Sequence, residues 1–210
     1  MSGTSLPQPS VGRTPSRLRL AAALIASAVA LTLAGCSSSG SGGGDAQAGF
    51  VTGNGGIDTA PVADRQPAPA IAGKTLEGTA AALSDYRGKV VVLNIWGSWC
   101  SPCRAEAKGL EQVYEKYKGQ GVQFLGINTR DTSITNAKQF EDVNGISYPS
   151  LYDPDGTQIL KFPKGSLNPQ SIPTTIVIDR EGRLAARAMK ALPAEDLESM
   201  LTPILAEQHS

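Results

Sequence analysis

From Lys89 onward the chain alternates short apolar runs with segments of helical period, a pattern that predicts an α/β domain. Lys89 to Trp96 (KVVVLNIW) is a β-branched run, nearly continuous in hydrophobicity, as in strands buried on both faces of a parallel or mixed sheet. Val122 to Asn128 (VQFLGIN) reads the same way. Between them Cys103, Ala107, Leu110, Val113, Tyr114 and Tyr117 fall at helical spacing within residues 101–118, and Gly119 and Gly121 end the helix. A second helix is predicted from Ser133 to Val143 with Asp131 or Thr132 as its cap. Ser150 to Tyr152 makes a short strand closed by the turn Asp153-Pro154-Asp155-Gly156. Thr174 to Ile178 is another β-branched run, and the turn Asp179-Arg180-Glu181-Gly182 leads into Leu184–Ala188. Leu197, Met200, Leu201, Ile204 and Leu205 share one stripe of a closing helix from Ala194 to Glu207, with Pro193 at its start. Upstream, Ile71 to Leu83 holds short alternating pieces broken by Gly73 and Gly78, which predict a small hairpin. Right-handed crossovers turn this order into a central sheet with helices on both faces.

The N-terminal third follows different rules. Residues 1–19 carry Arg13, Arg17 and Arg19 with no acid, and residues 20–34 (LAAALIASAVALTLA) are apolar or small. A basic start, a short apolar run and a small-residue exit describe a secretory signal peptide over residues 1–35. The run is shorter than the ~20 residues that span a bilayer. The stretch Leu33-Ala34-Gly35-Cys36 resembles a bacterial lipobox, which implies a lipid on Cys36 and attachment to the outer face of the cell membrane. Residues 36–66, rich in Ser, Gly, Ala and Asp, are expected to be a flexible tether, with the folded domain occupying 67–210.

Charge then removes one class of function. Losing the three arginines of the signal segment leaves 16 of the 19 basic residues against 19 acidic ones, a net charge near −3. No basic face or charge run is visible, so nothing points to nucleic acid.

Cysteine usage is more informative. With Cys36 assigned to the anchor, Cys100 and Cys103 stand alone in the folded part. Cysteines three apart close a loop too short to gain much chain entropy, so reactive chemistry explains them better than a structural staple. Trp96-Gly97-Ser98-Trp99-Cys100-Ser101-Pro102-Cys103 lies where a buried strand ends and a helix begins. A thiolate there faces unpaired backbone N–H groups and the positive end of the helix dipole, which lowers its pKa and makes it the nucleophile. Cys100 is expected to be the exposed attacking sulfur and Cys103, one turn inside, the resolving one. Pro102 stiffens the first turn. No cofactor is called for. A structural zinc site needs about four Cys or His ligands, and the chain's one histidine is His209 at the tail. A peroxidase of the peroxiredoxin type would want a threonine three residues before its cysteine, where Gly97 stands.

W-C-x-P-C after V-V-L-N-x-W resembles thioredoxin, and more closely the extracytoplasmic TlpA/ResA-like thiol–disulfide oxidoreductases. The resemblance covers residues 67–207 and includes Gly88 to Asn94, Arg104-Ala105-Glu106, Ile172-Pro173-Thr174 and the strand and helix inserted between Gly121 and Tyr152. It implies an α/β, thioredoxin-like fold: a central mixed β-sheet with helices on both faces, an N-terminal hairpin and an inserted β-α element. It implies a cis-proline at Pro173 beside the cysteines, with Ile172 offering backbone groups to an extended substrate and Trp99 forming the substrate rim. Asn94 takes the place of the buried Asp of plain thioredoxin. Glu106, three residues after Cys103, becomes the better candidate to accept its proton. The implied partners are exported thiol or disulfide proteins, apocytochrome c among them, and a membrane electron donor or acceptor. A copper-delivering relative would be expected to show a wider cysteine spacing and a downstream histidine. The direction of exchange is open, since Ser-Pro between the cysteines does not fix a potential. Phe162 to Ser171 (FPKGSLNPQS) is longer and more polar than expected before the cis-proline.

Overall fold

The computed structural model describes residues 48–207. The signal segment and Cys36 lie outside them. Its strands are β1 (Val51–Thr52), β2 (Ile57–Thr59), β3 (Ala72–Lys74), β4 (Ala80–Ala82), β5 (Val90–Trp96), β6 (Val122–Thr129), β7 (Ser150–Asp153), β8 (Thr174–Ile178) and β9 (Leu184–Ala188). The helices are α1 (Ser101–Tyr117), α2 (Ile134–Asn144) and α3 (Ala194–Ala206). Seven strands form one sheet in the order β1-β2-β9-β8-β5-β6-β7, and β3 and β4 form the separate hairpin. β5, β6 and β7 run parallel, while β8, β9, β2 and β1 add on antiparallel.

The two-sided burial of β5 splits its residues between two cores. Val90 and Val92 face α1 and α3 with Leu110, Val113, Phe124, Leu197 and Leu201. Val91, Leu93 and Ile95 face the opposite side with Leu125, Ile127, Ile176 and Ile178. That second side is covered by Phe50, Ile71, Leu83, Ile159 and Phe162, drawn from the N-terminal segment, the hairpin and two short 3-10 turns. A third cluster collects at the end of β5, where Trp96, Cys100, Cys103 and Ala107 meet Leu76 of the hairpin and Ala137 and Phe140 of α2.

The expected tether does not remain outside the domain. β2 pairs with β9 from Ile57 opposite Ala188 to Thr59 opposite Ala186, and β1 adds to β2. Phe50 and Ala60 are each 2% exposed. Residues 49–60 escaped notice because their few apolar side chains are spaced among glycines and polar residues, with no run long enough to show a period. Asp58 also carries a buried partner: Arg187 Nε donates to its Oδ2 at 2.8 Å. Arg187 further donates through Nη1 to the carbonyls of Gly165 and Ser166, so the Phe162–Ser171 segment is anchored to the sheet and not a free surface loop.

Candidate active site

β5 leaves the sheet at Trp96, and Gly97 to Trp99 carry the chain to Cys100, the N-cap of α1. Cys100 Sγ accepts the backbone N–H of Cys103 at 3.1 Å, one of the free donors of the helix's first turn. The two cysteines form a disulfide with their Cα atoms 5.3 Å apart. Pro102 occupies the first turn, where no amide partner is lost. Cys100 is 4% exposed and Cys103 1%, so in the disulfide form the outer sulfur is covered rather than exposed as expected. The cause is the cap itself: it turns the Cys100 side chain inward against the cluster of Trp96 and Leu76.

The surroundings of the pair come from every part of the domain. The Ile172–Pro173 peptide bond is cis, and Ile172 packs against the cluster that holds both cysteines. Trp96 is buried and stacks on Phe140, with ring centroids 4.5 Å apart. Trp99 instead is 52% exposed on the rim. Gly97 has no room for a side chain: a Cβ there would stand 2.7 Å from Trp99 Nε1 and 3.2 Å from the Thr129 carbonyl. The indole therefore lies over the position where the peroxiredoxin pattern would set its threonine.

Glu106 lies on the inner stripe of α1 with Cys103, Ala107 and Leu110, and is 4% exposed. Its Oε1 accepts from Asn94 Nδ2 at 2.9 Å and its Oε2 from the Leu192 N–H at 2.8 Å. Asn94 Nδ2 also donates to Thr175 Oγ1. Burial pushes the Glu106 carboxyl up to about 7, against the pull of its bonds from Leu192 and Asn94. It can thus exchange a proton near neutral pH, as an acid–base group must. Trp99, Pro102, Cys100, Cys103, Ile172 and Pro173 gather at one end of the sheet, with Glu106 buried one helical turn beyond Cys103.

Sequence reasoning named Asp131 and Asn94 without their partners and passed over Arg130. Asp131 does not cap α2, whose N-cap is Ser133. It is 3% exposed and accepts from Ser98 N at 2.7 Å, Ser98 Oγ at 2.6 Å and Asn128 Nδ2 at 2.7 Å, pinning the loop before Cys100. Asn94 was visible as the one polar residue inside an otherwise apolar strand, which signals an internal partner. Arg130, with φ of 56°, sets its guanidinium 5.2 Å from the Trp99 ring, and nothing in the sequence marked it. Among the described residues no group of three or more His, Cys, Asp and Glu side chains could hold a metal ion.

A cysteine pair capping a helix at the end of a parallel strand, beside a cis-proline, defines a thiol–disulfide oxidoreductase of the thioredoxin fold. The chain belongs to the AhpC/TSA family, whose profile matches residues 65–187, and is of the ResA-like thiol–disulfide oxidoreductase type. It is 33% identical over 143 residues to the thiol-disulfide oxidoreductase ResA of Geobacillus thermodenitrificans, covering 68% of this chain and 79% of that one. Among solved structures it resembles a DsbF homologue from Corynebacterium diphtheriae, with TM-score 0.66 and 37% identity over 73% of this chain and 96% of the other. A secreted thiol-disulfide isomerase from Corynebacterium glutamicum matches with TM-score 0.69 and 37% identity, covering 75% and 97%.

Proposed function

We propose that the protein is a membrane-anchored extracytoplasmic reductase of disulfides in exported proteins, apocytochrome c or its maturation machinery among them. The observation that carries the exchange chemistry is the Cys100–Cys103 disulfide at the N-terminus of α1, with Cys100 Sγ accepting the Cys103 N–H. A thiolate at Cys100 would keep that donor and the helix dipole, which favour the charged form. Reduced Cys100 attacks a substrate disulfide, one substrate sulfur leaves as a thiol, and a mixed disulfide remains. Cys103 gives its proton to Glu106 and attacks Cys100 Sγ, releasing the second substrate thiol and passing two electrons in all. Ile172 and Trp99 line the path of the substrate segment, and a membrane electron donor regenerates the dithiol. An outer location is supported by the N-terminal pattern ending at Cys36, read as the lipid-bearing residue, and by the secreted neighbour from Corynebacterium glutamicum.

The test is the reduction potential of the full chain with Cys36→Ser, equilibrated in thiol/disulfide buffers and followed by fluorescence of Trp96 and Trp99. A value near the ~−270 mV of thioredoxin supports the reductase, and one near ~−120 mV makes the protein a disulfide donor instead. Cys100→Ser is expected to abolish exchange, and Cys103→Ser to accumulate the mixed disulfide. If neither substitution altered exchange, the assignment to this pair would fall.

A further inference from the structure

A cleft of about 510 Å³ opens beside the cysteine pair, between the loop before Cys100 and the outer side of α2. Its apolar part is Trp99, Phe140 and Val143, of which Trp99 is 52% and Val143 71% exposed. Its charged part is unequal. Arg104 and Arg130 line it as cations, and Asp131 is the one carboxylate among the lining residues. Asp131 is turned inward and occupied by Ser98 and Asn128. Neither arginine has a carboxylate partner among the described residues. Arg104 donates to the Ser98 carbonyl, and Arg130 Nη1 donates weakly to Gln170 Oε1 at 3.4 Å. Arg130 Nε and Nη2, the edge that binds a carboxylate with two parallel bonds, have no hydrogen-bond partner and are shielded from solvent. The residue is held in the left-handed region at φ 56°, which directs this guanidinium to the Trp99 ring.

We infer that this cleft is a substrate subsite that takes an acidic side chain close in sequence to the reacting cysteine of the exported partner. The inference rests on the exchange reading above and names the substrate class for that same site. The segment's apolar atoms lie on Phe140 and Val143. Its carboxylate pairs with Arg130 on the Nε–Nη2 edge as the half-exposed indole moves aside, with Arg104 adding a second cation. Arg104 and Arg130 repel a lysine at the same place, and the inward-turned Asp131 does not offset them. The subsite acts on the choice of substrate, not on the bonds exchanged. The peptide disulfide still becomes two thiols at the expense of the Cys100–Cys103 dithiol, which supplies both electrons and both protons.

The test uses the full chain with Cys36→Ser, reduced beforehand and mixed with peptides that each carry one cysteine disulfide-linked to 2-mercaptoethanol. Asp, Asn or Lys is placed at each of the three positions on either side of the cysteine, and the single-turnover rate is read by tryptophan fluorescence. At low salt Asp at one or more positions is expected to react about tenfold faster than Asn, the size of one charge-assisted bidentate contact. The ratio should shrink at high salt. Arg130→Met should bring the Asp-to-Asn ratio close to one, and Arg130→Lys should keep part of it. Because the readout is a ratio on one variant, general loss of folding or activity cancels. Equal rates for all peptides in the parent chain would overturn the subsite and leave the exchange reading standing. A preference for Asp that survived in the Arg104→Met, Arg130→Met double variant would overturn the assignment to these arginines. If no peptide reacted, the exchange reading itself would fall and this inference with it.

Discussion

Glu106 accepts the main-chain N–H of Leu192, 86 residues further along the chain, through Oε2 at 2.8 Å. That contact ties the helix carrying the cysteines to the segment leading into α3, and it buries a carboxyl whose pKa is pushed up to about 7. The folded chain therefore holds a proton that the unfolded chain loses near 4.5. The stability from this group is full below pH 4.5, falls as pH rises towards 7, and is flat above that. The loss is on the order of 3 kcal/mol. Glu141, also pushed up to about 7 by burial, adds a second loss over the same window. Glu106→Gln should remove about half of the combined slope in urea unfolding measured from pH 4.5 to 8, because it deletes one of the two titrating carboxyls, while the Asn94 amide can flip to accept from the new amide and keep the packing. It should also slow mixed-disulfide resolution above pH 7 by about a hundredfold. An unchanged pH slope would show that Glu106 does not hold the proton.

Asp131→Ala should destabilise the disulfide form by about 2–4 kcal/mol, since it strands the Ser98 amide, the Ser98 hydroxyl and the Asn128 amide together. Asp131→Asn keeps the shape and one good acceptor, so its cost should be about half as large. Chemical unfolding of the two variants at fixed pH checks the ranking. Equal costs would mean that volume matters here and not the acceptor.

Gly97→Ala tests the packing of the rim. A Cβ at 2.7 Å from Trp99 Nε1 forces the indole to move, because the Thr129 carbonyl at 3.2 Å blocks the other adjustment. The expected result is a shifted fluorescence maximum in the reduced and oxidised forms. A stability loss of about 1–3 kcal/mol should accompany it. Exchange with peptide disulfides should slow more than exchange with a small neutral disulfide, which does not need the rim.

What the sequence made legible follows from how far each feature reaches along the chain. β5, β6, β8 and α1 show in local periodicity, and the W-C-x-P-C stretch carries its own helix start, so the cysteine pair could be placed without coordinates. The Ile172–Pro173 step was reached through resemblance and not through any local pattern. Glu106 stood out by its distance from Cys103, yet its partners Asn94 and Leu192 come from two other segments and no spacing announces them. Asp131 was misread because an Asp ahead of a helix is ordinarily a cap. Here three donors from Ser98 and Asn128 outcompete that use. The same limit hid β1 and β2, whose place in the sheet depends on Asp58 meeting Arg187 across 129 residues.

That last pairing makes the start of the domain a measurable quantity. Fragments beginning at residue 48 and at residue 61 differ in Phe50, Asp58 and Ala60, all buried, and in two strands of the sheet. Removing Phe50 forfeits about 3–5 kcal/mol of packing by analogy with large-to-small core changes. It also uncovers the Arg187 guanidinium, which lies 4.5 Å from the Phe50 ring. Removing Asp58 leaves that buried cation without its carboxylate, a change that costs about 3–5 kcal/mol when one partner of a buried pair is lost. The two effects share Arg187 and will not add in full. The shorter fragment should therefore melt well below the longer one, and its Phe162–Ser171 segment should be cut first by a broad protease, since Arg187 anchors that segment through Gly165 and Ser166. Asp58→Asn in the longer fragment separates the causes: it should reproduce the early cleavage with a smaller drop in melting temperature. Equal melting of the two fragments would return residues 48–60 to the role of a tether.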